Sequence, residues 1–418
     1  MKVVQISTFD TYGGAARAAY RHHKALLAAG INSRMLVQRK QSDDVTVDKP
    51  KSLLDKLRSR VWELDLLPLS AYPRRKSTPW SLAWLKSDIL GRIEDEAPDL
   101  VHLHWIGRGY VPVAAFQKFK RPIVWTLHDS WAFTGGCHIP GDCLNYRDCC
   151  GRCPQLGSNM DTDLSRLVWR RKKRHWDRLD MTVVTPSTWL AECAKSSSLF
   201  RDRRVEVVPH GLDQQSFRPH DPTMAREILG LPRDKKIVLY GASAALTDPN
   251  KGFLMFCDAA KKLALHGFGP EVEIVVFGAS TPLDPPKLHL KTSYVGVLHD
   301  DVTLSLLYSA ADVFVAPSKQ EAFGLTVLEA MACSTPTVAF NGSGISEMVI
   351  HKQTGYLAMP SDAADLAAGI AWVLNSDGLR RELSCNARSR VEDNFTSEKT
   401  ACRYVALYEE ILNRGFRN

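Results

Sequence analysis

The chain has 418 residues, of which 44% are hydrophobic and 24% charged, a composition typical of soluble globular proteins. This length favours two domains, and no apolar run approaches the roughly 18 residues that a membrane-spanning helix needs. The first residues, MKVVQIST, lack the apolar core of a signal peptide, so we expect a cytoplasmic protein.

The net charge of +8 is unevenly distributed. Residues 1–200 hold 31 basic and 20 acidic residues (+11), whereas residues 201–418 hold 23 and 26 (−3). A basic half suits an anionic partner, such as a phosphorylated substrate, a membrane surface or nucleic acid. An incidental excess of charge on a solvated surface is the alternative.

Strand-like runs rich in Val and Ile alternate with helix-length amphipathic stretches, which predicts βαβ units and parallel sheets. The predicted strands are 2–7, 33–38, 99–105, 122–128, 181–187, 205–210, 236–241, 273–278, 293–298, 312–318 and 335–340. Pro, Gly and polar residues interrupt this rhythm at 207–222, where we place the domain boundary. We therefore predict an α/β fold of two doubly wound, Rossmann-like domains, 1–210 and 211–396, that face each other across a cleft. A C-terminal helix within 397–418 is expected to cross back to the first domain.

Two motifs of the first half stand at the ends of predicted strands. Gly13 and Gly14 open the segment GGAARAAY, a weak phosphate-loop signal whose alternative is a tight turn packed on the sheet. His128 lies in WTLHDSW at a strand's carboxyl end, where a lone histidine is often structural. His102 and His104 alternate with apolar residues, as strand histidines do.

The segment TGGCHIPGDCLNYRDCCGRCPQL, residues 134–156, is rich in cysteine. Cys137, Cys143, Cys150 and Cys153 have a spacing that suits a tetrahedral zinc ion or an iron–sulfur cluster, with Cys149 and His138 as spare ligands. A loop of reduced cysteines, or disulfides formed on oxidation, is the alternative. We expect a structural zinc that braces the loop beside His128 and takes no part in the chemistry.

Basic residues mix with Trp and Leu in the segments 56–69 and 166–181. Such segments rest on anionic bilayers, which predicts peripheral contact with the inner face of a membrane. The commoner alternative is a helix that packs its Trp inward. No nucleic-acid-binding module accompanies them, so we expect no nucleic acid partner.

The second half carries the sharpest pattern, in QEAFGLTVLEAMAC at 320–333. A helix predicted over 324–333 directly follows a strand, and its first backbone N–H groups and dipole favour an anion at Gly324. Glu321 before the helix and Glu329 in its second turn flank that anion site, which suits a ligand with hydroxyls at both ends and phosphate between them. Lys251, in DPNKGF, is placed to neutralise a diphosphate. Two exposed acids around an ordinary helix are the alternative.

The stretch PSKQEAFGLTVLEAMACSTPTVA resembles the hallmark of retaining nucleotide-sugar glycosyltransferases of family 4, which have the GT-B fold. The resemblance implies that Glu321 contacts the transferred sugar and Glu329 the donor ribose. It also assigns roles near the sugar, the diphosphate or the acceptor to the backbone at Phe323, Gly324 and Leu325 and to Lys251, His128, Gly13 and Gly14.

One departure from the family pattern concerns the arginine that usually follows the strand glycine. Ala242 follows Gly241 here, so either Lys251 acts alone or a residue such as Arg108 substitutes for the arginine. The segment 125–156 further resembles a bacterial exopolysaccharide branch of the family that includes colanic-acid-type enzymes.

We therefore predict a glycosyltransferase that moves a sugar, with retention, from a nucleotide-sugar donor to a hydroxyl of a glycan or lipid-linked oligosaccharide in surface polysaccharide biosynthesis. No cofactor or divalent metal is expected in catalysis, because no Asp-x-Asp motif stands with the donor motifs to hold an ion on the diphosphate. A glycoside hydrolase that uses Glu321 and Glu329 as its carboxylate pair is one alternative. The other is a non-catalytic binding protein of the same fold.

Overall fold

The computed structural model describes residues 1–50 and 61–415. Residues 56–60 of the first basic segment therefore lie outside the described residues. The chain divides into two compact units: an N-terminal unit of residues 1–211 together with the chain from Glu398 onward, and a C-terminal unit of Leu212–Ser397. The division falls next to the boundary predicted between residues 210 and 211.

The N-terminal unit is built on a seven-stranded parallel sheet with strand order β3-β2-β1-β4-β5-β6-β7. Its strands are β1 (Lys2–Phe9), β2 (Asn32–Arg39), β3 (Val47–Asp48), β4 (Leu100–Leu103), β5 (Ile123–Thr126), β6 (Met181–Thr185) and β7 (Val205–Val207). Its first helices are α1 (Gly14–Ala28), α2 (Ile89–Glu96), α3 (Leu164–Trp176) and α4 (Thr188–Ser196), with 3₁₀ segments at Val61–Ala71, Val113–Lys118, Trp131–Phe133 and Asn145–Arg147.

The C-terminal unit is built on a six-stranded parallel sheet with strand order β10-β9-β8-β11-β12-β13. Its strands are β8 (Lys236–Gly241), β9 (Val272–Phe277), β10 (Lys291–Gly296), β11 (Val313–Ala316), β12 (Thr337–Phe340) and β13 (Gly355–Ala358). Its helices are α5 (Pro222–Ile228), α6 (Phe253–Leu265), α7 (Asp301–Ala310), α8 (Leu325–Ala332), α9 (Ala363–Leu374) and α10 (Asp377–Asn394), with 3₁₀ segments at Pro249–Lys251 and Gly344–Glu347.

Both faces of the second sheet are buried, which explains why its strands are almost continuously apolar. Ile237 and Leu239 of β8 pack into one hydrophobic cluster with α7 and α8. Their neighbours Val238 and Tyr240 pack into a second cluster with α6 and α9 on the opposite face. The two-residue repeat of a strand therefore supplies both layers of the core.

The last helix, α11 (Ser397–Gly415), packs on the N-terminal unit. Tyr404 and Tyr408 are fully buried there and share a cluster with Val3 of β1 and Leu100 of β4. Hydrogen bonds from the tyrosine hydroxyls to Thr126 and His102 fix this helix on the sheet.

The basic helix α3 places its tryptophans as a packing helix does. Trp176 is buried and donates a hydrogen bond to the Val113 carbonyl oxygen, while Trp169 is half-buried and donates to Ser198. Lys173 and Arg174 stay exposed. Within 1–50 and 61–415, no helix combines the length and hydropathy needed to cross a bilayer. The predicted membrane contact stays a prediction.

Candidate functional site

The second sheet changes its winding direction between β8 and β11, because β8 pairs with both β9 and β11. In doubly wound sheets, ligands bind outside the carboxyl ends of the strands at such a switch point. The connection after β8 carries Lys251, and the connection after β11 carries Glu321. Both predicted charged residues therefore lie at the place where this fold class holds ligands.

The start of α8 has the geometry predicted for an anion site. Gly324 is the N-cap residue with φ 102° and ψ 65°, and no side chain caps the helix. Val327 and Leu328 donate their backbone N–H groups to the Gly324 carbonyl oxygen, which makes the first hydrogen bonds of the helix. The N–H groups of Leu325 and Thr326 come before these bonds and have no partner within the helix. Unpaired first-turn amides and the positive end of the helix dipole together favour a negatively charged group.

Glycine is required at position 324 for two reasons. The positive φ disfavours any residue with a Cβ, and a Cβ built there would lie 2.8 Å from Ile345 Cγ1. Phe323, just before it, is buried and meets Phe395 edge to face at 5.9 Å between ring centroids, while Leu325 is half-buried. The helix start is therefore held by packing rather than by a polar cap.

Lys251 and Glu321 form an ion pair, with 2.6 Å between Lys251 Nζ and Glu321 Oε1. Burial lowers the pKa of Lys251, but the charge of Glu321 and the hydrogen bond to it outweigh burial and raise that pKa overall. The ammonium therefore stays charged at neutral pH. This geometry presents a fixed positive charge and a carboxylate side by side at the edge of the sheet.

Asn250 locks the two connections together, a role that the sequence did not suggest. Its side chain donates to the Gln320 carbonyl oxygen at 2.7 Å and accepts from the Gln320 N–H at 3.0 Å, and its backbone carbonyl accepts from Lys319. Asp248 accepts the Asn250 N–H and so shapes the turn that presents Lys251. The Asp-Pro-Asn sequence signals a turn, but nothing local signals a partner 70 residues away.

Glu329 is buried in the second turn of α8 and accepts a hydrogen bond from the Tyr308 hydroxyl at 3.1 Å. Tyr308 lies on α7, and its ring packs edge to face with Phe277 and Phe314. The carboxylate is thus held by a rigid aromatic neighbour. This burial contradicts the alternative of two exposed acids around an ordinary helix.

The glycine-rich turn 341–349 packs against the connection that carries Glu321 and bonds to its backbone. The Gly344 N–H donates to the Glu321 carbonyl oxygen at 3.0 Å. A Cβ at position 344 would lie 2.4 Å from the Ala322 carbonyl oxygen, so only glycine fits. Glu347 lies in this turn, where its backbone carbonyl accepts from Arg390.

Ala242, at the position of the expected arginine, is nearly buried and has no charge to offer a ligand. Its carbonyl oxygen faces Gly278, where a Cβ would lie 1.9 Å away. Arg108 belongs to the N-terminal unit, and its guanidinium lies 5.4 Å from the centroid of the Phe9 ring. Its substitution for the missing arginine stays a prediction.

Gly13, Gly14 and His128 all lie at the carboxyl edge of the first sheet. Gly13 has φ 83° and precedes α1, which starts at Gly14. Nothing lies within 4 Å of a Cβ built at Gly13, so the alternative of close packing against the sheet does not hold at this position.

His128 belongs to a group of five histidines whose rings contact one another in the N-terminal unit, with His22, His102, His104 and His210 as the other members. Its Nε2 lies 3.2 Å from His104 Nδ1, and its ring stacks on His210 at 5.1 Å. Burial lowers the pKa of His128 to about 4, although the negative charge of Asp129 acts to raise it. A neutral imidazole suits hydrogen bonding to a hydroxyl group, which is the role predicted for it.

The ligand atoms of His22, His102 and His104 lie within 4.8 Å of one another, a spacing that a metal ion could accept. Both ring nitrogens of His102 are already bonded, to Thr126 and Tyr408, and both of His104, to Gln5 and His128. An ion here would break these hydrogen bonds. We interpret the trio as a buried polar network that joins α1, β4 and α11.

Cys137, Cys143, Cys150 and Cys153 border one cavity in the N-terminal unit, in the loop that follows His128. All are free thiols. The Asp161-Thr162-Asp163 sequence beside this loop is structural, since Asp163 caps α3 and Asp161 pairs with Arg166 at 2.8 Å.

Two family models match the chain. The model described as Glycosyltransferase Family 4 matches residues 12–216, and the one described as Glycosyl transferases group 1 matches residues 223–390. D-inositol 3-phosphate glycosyltransferase 2 of Catenulispora acidiphila is 34% identical over 336 residues, which are 76% of this chain and 73% of that protein.

Solved structures share the fold over nearly the whole chain. Sucrose-phosphate synthase from Thermosynechococcus elongatus has a TM-score of 0.71 at 23% identity, covering 99% of this chain and 100% of that one. Anabaena HepE in complex with UDP-glucose has a TM-score of 0.67 at 17% identity, covering 98% and 100%. The predicted fold class, two doubly wound α/β domains with parallel sheets, is confirmed. The chain belongs to the group 1 glycosyl transferases, glycosyltransferase family 4, and has the GT-B fold.

Proposed function

We propose that this glycosyltransferase moves a sugar from a nucleotide-sugar to a hydroxyl group, with retention of configuration. The observation that carries the proposal is the uncapped start of α8 at Gly324, flanked by the Lys251–Glu321 pair and by the buried Glu329. An amide-rich helix start, an ammonium and two carboxylates match a diphosphate that has hydroxyl-bearing groups at both ends.

In this proposal each charged group has one task. The α8 amides and Lys251 stabilise the charge that develops on the departing diphosphate, a preorganised arrangement that contributes strongly to such barriers. Glu329 accepts hydrogen bonds from the ribose hydroxyls, and Glu321 from the transferred sugar. The acceptor hydroxyl attacks from the face of the leaving group, and a donor phosphate oxygen takes its proton.

His128, Gly13 and Gly14 are proposed to serve the sugar and the acceptor. His128 stays neutral because burial lowers its pKa, so it donates or accepts hydrogen bonds with hydroxyl groups. A divalent ion is not part of the proposed catalysis, since no Asp-x-Asp motif occurs in residues 212–397.

Two acceptor classes follow from two different observations. The resemblance of the segment 125–156 to an exopolysaccharide branch supports a glycan or lipid-linked oligosaccharide. The name of the Catenulispora relative supports a phosphorylated cyclitol, and the charge of +11 on residues 1–200 suits its phosphate. We favour the glycan acceptor, because the exopolysaccharide resemblance rests on the cysteine pattern of this chain, whereas the cyclitol rests on the name of a relative.

The test is turnover of a panel of nucleotide-sugars, with lipid-linked glycans and inositol 3-phosphate as acceptors. We expect nucleoside diphosphate release that depends on one acceptor class and persists without added Mg²⁺, and a product of retained configuration by NMR. Glu321→Gln keeps a hydrogen-bond acceptor for Lys251, so it should lower kcat with little change in the donor KM. Release of free sugar from a simple glycoside would instead establish a hydrolase, and an inert protein that shifts labelled RNA would establish a binding protein.

A further inference from the structure

The cysteine-rich loop encloses a small cavity with four thiols on its wall. The cavity has a volume of about 20 Å³, and its lining includes Cys137, Cys143, Cys150 and Cys153 together with Trp80, Thr134 and Gly135. A space of this size holds one water-sized body. Beside this cavity, the turn from Cys150 to Arg152 runs through three consecutive positive φ angles of 53°, 94° and 46°.

Backbone amides point at two of the sulfurs. Burial raises the pKa of the Cys150 and Cys153 thiols, and backbone amides offset it only in part: the Gly135 N–H donates to Cys150, and the N–H groups of Gln155 and Leu156 donate to Cys153. Thr134 and Gly135 come from the start of the loop and Gln155 and Leu156 from its end. These amides, from both ends of the loop, are placed to donate to the sulfurs when a metal ion replaces the thiol protons.

A lysine with no carboxylate partner lies against the same loop. Lys172 of α3 is fully buried, and its Nζ donates to the carbonyl oxygens of Trp131 and Thr134 and lies 3.9 Å from the centroid of the Trp131 ring. The charge of Asp129 acts on Lys172, but Asp129 pairs with His138 at 2.7 Å. In the part of the chain that the structure describes, no carboxylate lies within ion-pair distance of Lys172.

Burial disfavours the charged form of Lys172 and lowers its pKa to about 7, so a nearby negative charge would be needed to keep the ammonium. The remaining groups that interact with Lys172 electrostatically are Cys137 and Cys150. A zinc ion held by four thiolates carries a net charge of −2. A lysine ammonium beside it partly neutralises that charge, and the negative charge in turn stabilises the buried ammonium. Lys172 therefore has an electrostatic reason to be buried if the four thiols hold a metal.

The distances between the sulfurs set one condition. Among the described residues, the ligand atoms of His22, His102 and His104 all lie within 4.8 Å of one another. No three of the cysteine sulfurs in the same described part of the chain lie that close together. The sulfurs border one cavity, and each turns about a single χ1, so closing on an ion needs side-chain rotation. Each thiol releases its proton as it ligates.

We propose that Cys137, Cys143, Cys150 and Cys153 bind one structural Zn²⁺ ion and that Lys172 is its buried counter-charge. The ion would fix the segment 129–138, in which Asp129 bonds to His138 and to the Trp105 indole beside His128. The proposal does not depend on the proposed function, because a metal site and a glycosyl transfer are measured separately.

The first test is the metal content of the full chain, purified from zinc-supplemented cells and measured by mass spectrometry. We expect about one zinc per chain. Cys150→Ser should lose most of it, whereas Cys385→Ser, which changes an exposed thiol of α10, should keep it. Wild-type protein that lacks zinc, contains iron, or shows disulfides among these four cysteines by peptide mapping would overturn the proposal, whatever happens to Cys150→Ser.

The second test addresses Lys172 by competition with a chromogenic chelator. Lys172→Met should weaken zinc affinity by about tenfold or more, as loss of a supporting group around a metal does. Lys173→Met changes an exposed neighbour on the same helix and should leave the affinity unchanged. If Lys172→Met lowers only the melting temperature and retains wild-type zinc affinity, Lys172 is a packing residue and its assignment fails.

Discussion

At the scale of single residues, the site depends on partners that are distant in sequence. Gly324, Glu321 and Glu329 were predicted from a short pattern, because a helix start after a strand has local signals. Tyr308 was not predicted, since a tyrosine in the apolar helix α7 has the same pattern as any core residue. Its hydroxyl bond to Glu329 appears only when α7 and α8 pack together.

Tyr308→Phe removes this one hydroxyl and keeps the ring that packs against Phe277 and Phe314. We expect a loss of about 1 kcal/mol in the free energy of unfolding, the usual contribution of one hydrogen bond. Nucleoside diphosphate affinity should fall severalfold, because Glu329 loses the group that orients it. Calorimetric titration measures the affinity and urea unfolding the stability. Unchanged affinity would show that the hydroxyl does not position Glu329.

At the scale of elements, the predicted strands were confirmed wherever buried Val and Ile runs were long enough to recognise. The predicted helix at 324–333 is α8, Leu325–Ala332, and the predicted C-terminal helix is α11. The sequence does not indicate β3 and β13, because β3 has only two residues and β13, GYLA, contains no Val or Ile. The connections after β8 and β11 were predicted as separate motifs, and only the structure shows that Asn250 and Gly252 join them.

Gly252→Ala tests how tightly the Lys251 turn packs on the end of β11. A Cβ at this position would lie 1.9 Å from the Pro317 carbonyl oxygen, so the turn must move and take Lys251 with it. Gly230→Ala is the matched control, since Gly230 has φ 65° against 71° for Gly252 but has no atom within 4 Å of its Cβ.

Both substitutions place alanine at a positive φ, which costs about 1 kcal/mol. We expect Gly230→Ala to lose that amount alone and to keep wild-type turnover. Gly252→Ala should lose clearly more stability and also most of its turnover. Equal losses of stability in the two variants, measured by urea unfolding, would contradict the close packing of the two connections.

At the scale of the whole molecule, the division into two units and the family were accessible from the sequence, because alternating elements repeat along the entire chain. The polar network under α11 was not accessible from the sequence. The sequence indicates ordinary strand histidines at positions 102 and 104, whereas His104 bonds to His128 and His102 bonds to Tyr408 from the far end of the chain. Long-range polar pairing leaves no local signature.

The buried histidines predict that acid destabilises the N-terminal unit. Burial lowers the pKa of His22 to about 3 and that of His128 to about 4, and it also lowers the pKa values of His102, His104 and His210. The unfolded chain binds protons near pH 6.5 and the folded chain does not, so stability falls as the pH drops below 6.5. Each such group contributes up to about 1.4 kcal/mol per pH unit in that window.

Tryptophan fluorescence follows this unit, because every tryptophan except Trp372 lies within residues 1–211. We expect the urea midpoint to fall between pH 7 and pH 5, above the range in which most carboxylates titrate. His266→Gln, which removes an exposed histidine of the C-terminal unit, should show the same fall. A midpoint that is constant over this range would contradict the neutral state of the buried histidines.

The central claim is that the start of α8, with Lys251 and Glu329, binds the diphosphate and ribose of a nucleotide. Melting temperatures measured against a panel of nucleoside diphosphates and nucleotide-sugars test it directly, since a ligand that binds only the folded state raises the melting temperature. We predict a clear rise for at least one nucleotide, loss of most of that rise in Lys251→Ala and Glu329→Ala, and a full rise in Glu382→Ala, which changes an exposed acid of the same unit. No rise with any nucleotide, or an undiminished rise in both site variants, would contradict the claim.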